Sequence, residues 1–265
     1  MGDADRRWVD SMPDAYERHL VAPVFQPFAA DLTDRITSAG PRRVLELAAG
    51  TGVLTRTLAA TLSFGAIVAT DLNDSMVAFG CAHVPGVTWQ QADALELPFP
   101  DGEFDVVACA FGIMFFPDKV RAFGEARRVL APGGLFLATT WGELEAHEFQ
   151  AAVVAATDSV CPEDPPRFLQ SIPHGYHDAA TIESELRAAG FSDVSVEPRV
   201  LEGHAPSAKS LAVGFCTGTP LRAELEARGD LAELTSQVAA AVEDRLGSGP
   251  VTGCMRALVV SARVA

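Results

Sequence analysis

The 265-residue chain is 48% hydrophobic and 21% charged, which suits one full-size α/β domain with a cap and leaves no room for wholesale disorder. Its formal net charge of −15 repels phosphate backbones, so DNA, RNA and anionic membrane surfaces are excluded as expected partners; basic residues gather only in pairs such as Arg6-Arg7, Arg42-Arg43 and Arg127-Arg128, which read as solvated ends of elements. The five cysteines are scattered, odd in number and form no Cys-x-x-Cys, so reduced thiols in a cytoplasmic protein are expected and a structural zinc is not. MGDADRRWVD carries no apolar signal core, and no apolar run reaches the roughly eighteen residues of a membrane span. Only Lys119 and Lys209 are lysines among 20 basic residues, a codon signature of a GC-rich bacterial genome.

In chain order, residues 5–38 are predicted helical with a break at Pro23–Pro27. RRVLEL (42–47) is a strand running into a Gly-rich turn, and 53–62 a helix. GAIVATD (65–71) is the second strand and 75–82 a helix; GVTWQQAD (86–93) is the third strand. FDVVACAF (104–111) is apolar along its length, as a strand covered on both faces must be. An amphipathic helix over 118–130 is closed by Pro132-Gly133-Gly134, and LFLATTW (135–141) is the fifth strand. This alternation predicts a parallel sheet with crossover helices. The rhythm then breaks: a helix at 145–158, a Pro-rich loop to Asp178, a helix at 179–189, a strand at 191–200, a mostly helical stretch over 203–248 and a last strand over 251–265. The whole reads as one domain over 1–265. It has a helical N-terminal segment (1–40) and two helical lid insertions, 142–177 and 203–248; the first leaves the sheet at the strands' carboxyl ends, where ligands of such sheets bind.

The strongest local signal is VLELAAGTGVLTRTLA (44–59). A buried strand turns through Gly50-x-Gly52 into a helix, where glycine permits positive φ and the helix start offers unbonded amides. Glu46 lies four residues before Gly50, and Asp71 ends the next strand 21 residues after it, where a carboxylate can take both hydroxyls of a ribose. A nicotinamide dinucleotide needs a third glycine, and Thr55 stands there. Glu46 would also sit poorly beside a diphosphate and well beside an ammonium. The ligand suggested is a nucleoside carrying a cationic amino-acid group and no phosphate.

With these motifs in hand, the chain resembles the class I S-adenosylmethionine-dependent methyltransferases, specifically the ubiquinone/menaquinone-type (methyltransferase type 11) small-molecule group. LELAAGTG (45–52) resembles the first motif, which binds the methionine moiety; Asp71 in ATDLNDSM matches the ribose-binding acid, with Leu72 beside the adenine; Asp93-Ala94 in QADALELPF matches the pair that reads the adenine amino group and ring nitrogen. FDVVACAFGIMFFPD (104–118) and RRVLAPGGLFLATTW (127–141) resemble the fourth- and fifth-strand segments. The resemblance covers about 42–141 plus the tail. It implies a Rossmann-like α/β fold with a seven-stranded, mostly parallel sheet and an antiparallel last strand. It also implies a cofactor site built from Glu46, Ala48, Ala49, Gly50, Thr51, Gly52, Asp71, Leu72, Met76, Asp93, Ala94, Ala110 and Phe111. Ala48 replaces the usual glycine, and Ala110 a common polar residue. The Asp/Asn-Pro-Pro-aromatic motif of nucleic-acid amino-methyltransferases is missing after the fourth strand; Asp164-Pro165-Pro166 lies elsewhere and reads as a rigid loop.

Methyl transfer from a sulfonium needs mainly alignment and exclusion of water, so no dedicated catalytic motif is expected. His174, Tyr176 and His177 in IPHGYHD are the candidates for orienting an acceptor or taking its proton, with Asp178 read as a helix cap. His174-x-x-His177 lacks a further ligand, and no metal is expected. His147-Glu148 has no second histidine four residues on and is no metalloprotease helix; Tyr16 and His19 read as packing. Phe115, Phe116, Trp141 and Phe215 are candidate walls for a small, partly apolar acceptor, a secondary metabolite or quinone-like compound. The alternatives are a cyclase or isomerase that binds the cofactor without transferring its methyl group, and a nucleoside-sensing module.

Overall fold

The computed structural model describes residues 12–62 and 66–265. Helix runs from Met12 to Ser38 as α1 (Met12–Tyr16), a π-wound stretch (Glu17–Phe25) and α2 (Gln26–Ser38). There follow β1 (Arg43–Glu46), α3 (Val53–Thr61), β2 (Ala66–Asp71), α4 (Asp74–His83), β3 (Thr88–Gln91), β4 (Phe104–Ala110), α5 (Lys119–Val129), β5 (Leu130–Trp141), α6 (Glu148–Val160), α7 (Phe168–Ser171), α8 (Ala179–Ala188), β6 (Ser192–Ala205), α9 (Ala208–Gly218), α10 (Leu221–Glu226), α11 (Leu231–Leu246) and β7 (Val251–Arg263). The seven strands form one sheet in the order β3-β2-β1-β4-β5-β7-β6. β1 pairs parallel with β2 and β4, β2 with β3 and β4 with β5, whereas β7 runs antiparallel to β5, the arrangement that the resemblance implied.

Three local expectations are corrected. No break occurs at Pro23–Pro27. The chain widens into π winding, in which the Gln26 N–H reaches the Val21 carbonyl five residues back, and Pro23 lies inside the widened stretch. A wide turn relieves the clash between a proline ring and the carbonyl four residues earlier. Residues 5–11 of that predicted helix lie outside the described residues. Pro132-Gly133-Gly134 does not close α5 but lies within β5: Leu130 already pairs with Phe104 and Leu135 with Val106, so the intervening residues bulge out, with Gly133 at φ 75°. β6 extends past the expected 200 to Ala205, so the helical stretch begins only at Ala208.

The chain divides into two compact units, one of Phe28–Trp141, His177–Arg199 and Ala257–Ala265, the other of Met1–Pro27, Gly142–Tyr176 and Val200–Arg256. In the first, the sheet core is apolar on both faces: Val44, Leu45, Phe104, Val107, Ala108 and Phe136 are fully buried, as the unbroken apolar run of β4 foretold. Both arginine pairs described there are bonded at least in part. Asp105 accepts from the Arg42 and Arg43 amides at 2.8 Å each, and the Arg43 guanidinium pairs with Glu103. Arg42 and Arg43 are exposed at the start of β1, as read, and Arg127 donates to the Gly190 carbonyl at 2.8 Å; Arg128 departs from the reading of a solvated end, being wholly engaged by its neighbours.

The other unit is mainly helical. Gly214 and Gly218 of α9 lie where a Cβ would come within 2.7 Å of the Leu20 side chain and 2.6 Å of the Tyr16 backbone nitrogen, so at Gly218 the two helical segments touch backbone to backbone. Phe149 fills the space over Gly203 and Gly253. Tyr16 packs on Phe25 at a centroid distance of 4.8 Å and His19 bonds Ser210 at 2.9 Å, both as packing residues. The Asp164-Pro165-Pro166 loop is tied down by Arg228, which donates to the Asp164 carbonyl and pairs with its carboxylate.

Candidate active site

In parallel strands the carboxyl ends share one edge. Here that edge carries Leu47–Gly52 after β1, Asp71 at the end of β2, Asp93 after β3, Ala110–Gly112 after β4 and Trp141 at the end of β5. The β1 turn is shaped by left-handed backbone at Ala48 (φ 51°), Gly50 (φ 57°) and Gly52 (φ 88°). Alanine tolerates this region at a cost of roughly 1 kcal/mol, so the turn is strained where the family's usual glycine would be relaxed. The Ala48 methyl in turn explains Gly112, where a Cβ would come within 2.6 Å of it. Gly52 starts α3 with no side-chain cap, so the first amides of α3 are available at the turn. The Thr51 hydroxyl oxygen is buried without a protein partner, and Ala49 is fixed by its amide bond to the Thr70 carbonyl at 2.9 Å.

Glu46 is 1% exposed. Burial is the largest influence on its carboxyl and pushes it up to about 8; a 2.6 Å bond from the Thr55 hydroxyl opposes the shift and the nearby Asp71 charge adds to it. Thr55, the residue whose presence argued against a dinucleotide, is therefore the direct partner of Glu46. Asp71 is aimed by two amides: Gly50 N–H donates to its Oδ2 and Asn73 N–H to its Oδ1, both at 2.9 Å. Leu72 follows with its carbonyl accepting from Gln91 at 2.9 Å, and Met76 is buried on α4. Asp93 accepts from the Leu95 amide through Oδ1 at 2.9 Å and precedes Ala94 in a half-buried segment.

After β4, Ala110 leads into Phe111, a second non-glycine residue in left-handed conformation at φ 54°. Its amide donates to the Thr139 carbonyl at 3.0 Å, and its ring stacks on Trp141 at 3.8 Å between centroids; Phe28 meets both rings edge-on at 5.4 Å. Phe115 is half-buried and Phe116 buried, the Phe116 carbonyl held by Lys119 Nζ at 3.0 Å. The sheet unit thus brings together every predicted cofactor residue and three of the four predicted acceptor-wall aromatics; Phe215 is a buried residue of α9 in the helical unit.

The IPHGYHD residues differ in burial. His177 is exposed, Tyr176 half-buried, and Asp178 caps α8 as expected, accepting from the Ala180 and Thr181 amides. His174 is buried, and its Nδ1 donates to the Gly142 carbonyl at 2.9 Å, which fixes the tautomer. Its ring lies edge-on, 4.5 Å between centroids, to His147 at the start of α6. Burial first, then the electrostatic influence of the neighbouring His174, drive His147 down to about 3, so it is neutral. His147 was set aside in the sequence because its spacing fitted no motif. Trp89 was also missed: its indole fills the gap between Gly52 and Gly80, where Cβ atoms would come within 2.9 and 2.3 Å of it. A large aromatic on β3 opposite two glycines far apart in sequence gives no local signal. Among the described residues, no group of three or more His, Cys, Asp or Glu could hold a metal, and no helix is long and apolar enough to cross a membrane.

The family model for a methyltransferase domain matches residues 45–138, which carry this edge except for Trp141. The ubiquinone/menaquinone biosynthesis C-methyltransferase UbiE of Stutzerimonas stutzeri is 31% identical over 220 residues, 70% of this chain and 86% of that protein. The chain belongs to the class I S-adenosylmethionine-dependent methyltransferases of the ubiquinone/menaquinone type. Two solved structures share the fold of this methyltransferase. The Haemonchus contortus phosphoethanolamine N-methyltransferase 2 in complex with S-adenosyl-L-methionine has a TM-score of 0.63 at 19% identity, over 97% of this chain and 58% of that one. The cyclase SpnF has a TM-score of 0.53 at 22% identity, over 89% and 81%. S-adenosylmethionine is the methyltransferase's cofactor, and the edge fits it: a buried carboxyl for an ammonium, a carboxylate aimed by two amides for a ribose and an unpartnered buried hydroxyl at Thr51.

Proposed function

We propose that this methyltransferase acts on a small, partly apolar acceptor of the quinol class, methylating a ring carbon. The observation that carries the reading is the identity to a protein named as a ubiquinone/menaquinone C-methyltransferase across 86% of its length. The net charge of −15 adds to it by disfavouring polyanionic substrates. Bound S-adenosylmethionine supplies an electrophilic methyl group on a sulfonium. Glu46, braced by Thr55, takes the ammonium of the amino-acid moiety; Asp71 takes the ribose hydroxyls; Asp93 and Ala94 read the adenine edge; Ala48, Ala49, Gly50, Thr51 and Gly52 shape the turn, and Leu72, Met76, Ala110 and Phe111 line it. Phe115, Phe116 and Trp141 offer the acceptor an apolar wall that excludes water. His174, Tyr176 and His177 are the groups proposed to orient the acceptor or take its proton, with Phe215 as a further apolar contact.

The test is incubation of the purified protein with methyl-labelled S-adenosylmethionine and separate acceptors: a short-chain quinol lacking the ring methyl, the oxidised quinone, phosphoethanolamine and an oligonucleotide. Label is expected in the quinol alone. Label only in another acceptor overturns the substrate class, and cofactor binding with no transfer to any acceptor or to a cell extract supports a cyclase-like activity instead.

A further inference from the structure

Between β3 and β4 the chain crosses residues 92–103 without helix, yet Asp93 at its start must hold a fixed position if it is to read an adenine edge. Among the described residues, Asp93 is anchored locally, by the Leu95 amide on Oδ1 and the Glu96 amide on its carbonyl at 3.0 Å. The rest of the segment is held by α5. Arg121 Nε donates to the Leu95 carbonyl at 2.9 Å. Glu125 Oε2 accepts the Leu97 amide at 2.9 Å. Arg128 spends all five of its N–H groups: Nε and one Nη2 hydrogen on the two Glu125 oxygens at 2.8 and 2.7 Å, the other Nη2 hydrogen on the Leu97 carbonyl at 2.9 Å, and Nη1 on the Phe99 carbonyl at 2.7 Å and the Asp101 carboxylate at 2.8 Å. The Arg128 carbonyl takes the Gly102 amide at 3.0 Å. One helix therefore grips the backbone at Leu95, Leu97, Phe99 and Gly102.

We infer that Arg128, with Glu125 and Arg121, is a positioning device for the adenine end of the cofactor, holding the segment so that Asp93 is presented to the adenine amino group. The inference rests on the reading of Asp93 as the adenine-reading acid. None of the three is among the residues read as cofactor contacts; they act through the backbone of 95–102. The planar guanidinium is what permits this. Its fork reaches three protein oxygens on the segment and a bidentate carboxylate at once, and a lysine ammonium has neither the donors nor the span. Arg128 is held so firmly by Glu125 and Asp101 that its charge is favoured beyond the ordinary arginine range, and the Glu125 carboxyl is lowered in return, chiefly by the Arg128 bond. This pair is the pivot of the grip, and its loss would free the segment without touching the β1 turn, Glu46 or Asp71.

The test uses calorimetric affinities of the full chain for S-adenosylhomocysteine and for the analogue with unsubstituted purine in place of adenine, which lacks only the amino group. In the parent the analogue is expected to bind at least tenfold more weakly, the value of one hydrogen bond to a charged acceptor. Asp93→Ala should abolish that gap. Arg128→Lys should weaken S-adenosylhomocysteine about tenfold and leave the purine analogue within about twofold, and Glu125→Gln, a milder change for the case in which Arg128→Lys does not fold, should move the same way. Equal weakening of both ligands, or no change in either, in a folded Arg128 or Glu125 variant overturns the positioning role. A gap that survives Asp93→Ala overturns the Asp93 reading itself, whichever way the α5 variants behave.

Discussion

With Glu46 proposed as the partner of the cofactor's ammonium, cofactor binding is expected to release a proton. Its carboxyl sits near 8 because burial costs more than the Thr55 bond returns, so in the cofactor-free protein it is protonated at neutral pH. Pairing with an ammonium requires the carboxylate. Well below pH 8 the proton must leave first, and affinity then scales with the ionised fraction, roughly one site in a hundred at about pH 6 and one in four at about pH 7.5. S-adenosylhomocysteine affinity is therefore expected to rise about 20-fold over that interval, with about 0.9 proton released per site at neutral pH. Titration calorimetry in buffers of differing ionisation enthalpy reads both quantities. Glu46→Gln should bind more weakly and with a flat pH profile. A parent affinity that is flat from pH 6 to 7.5, or a slope that persists in Glu46→Gln, would refute the assignment of this carboxyl to the ammonium.

Asp71→Ala should leave the fold intact and weaken S-adenosylhomocysteine on the order of a hundredfold, because two charge-assisted bonds to ribose hydroxyls are lost; an unchanged dissociation constant in the folded variant would remove the ribose role. Gly80→Ala should lower stability by about 1–3 kcal/mol in denaturant unfolding, since the new methyl drives into Trp89, which Gly52 blocks from retreating, and Trp89→Phe in the same background should recover part of it. The neutral His147 contributes stability that is present above about pH 6.5 and lost as pH falls towards its folded value of about 3; the difference in unfolding free energy between the parent and His147→Gln should shrink over that window and be constant above it.

The sheet and the geometry of its carboxyl edge were readable because they depend on local pattern. β4 is buried on both faces and so is apolar throughout, and Asp71 lies one strand and one helix after Gly50, as the hydrogen bond between them requires. What escaped the sequence depends on partners distant along the chain. Arg128 looks like half of a solvated pair until the 95–102 segment is laid against it, and Trp89 looks like an ordinary strand residue until two glycines 28 residues apart, Gly52 and Gly80, are seen to make its slot. His147 and His174 come together across a helix and a loop, so the reading grouped His174 with its neighbours Tyr176 and His177 instead. Pro23 and Pro27 predicted a break because proline in an α-helix causes one; the chain answered by changing the winding, a choice that periodicity does not reveal.

That winding carries a consequence for chain length. A π-wound turn accommodates one residue more than α winding over the same hydrogen-bonded span. Loss of a single residue from Glu17–Phe25 would therefore let the stretch return to regular winding with its flanks in register. Met12 would keep its place in the core and the Tyr16 backbone its approach to Gly218, which only a glycine allows. A residue lost from regular winding has no such slack and turns what precedes it by about 100°. The widened stretch is thus where the N-terminal helix can best give up a residue, and a deletion scan should find it more forgiving than the regular turns that follow it.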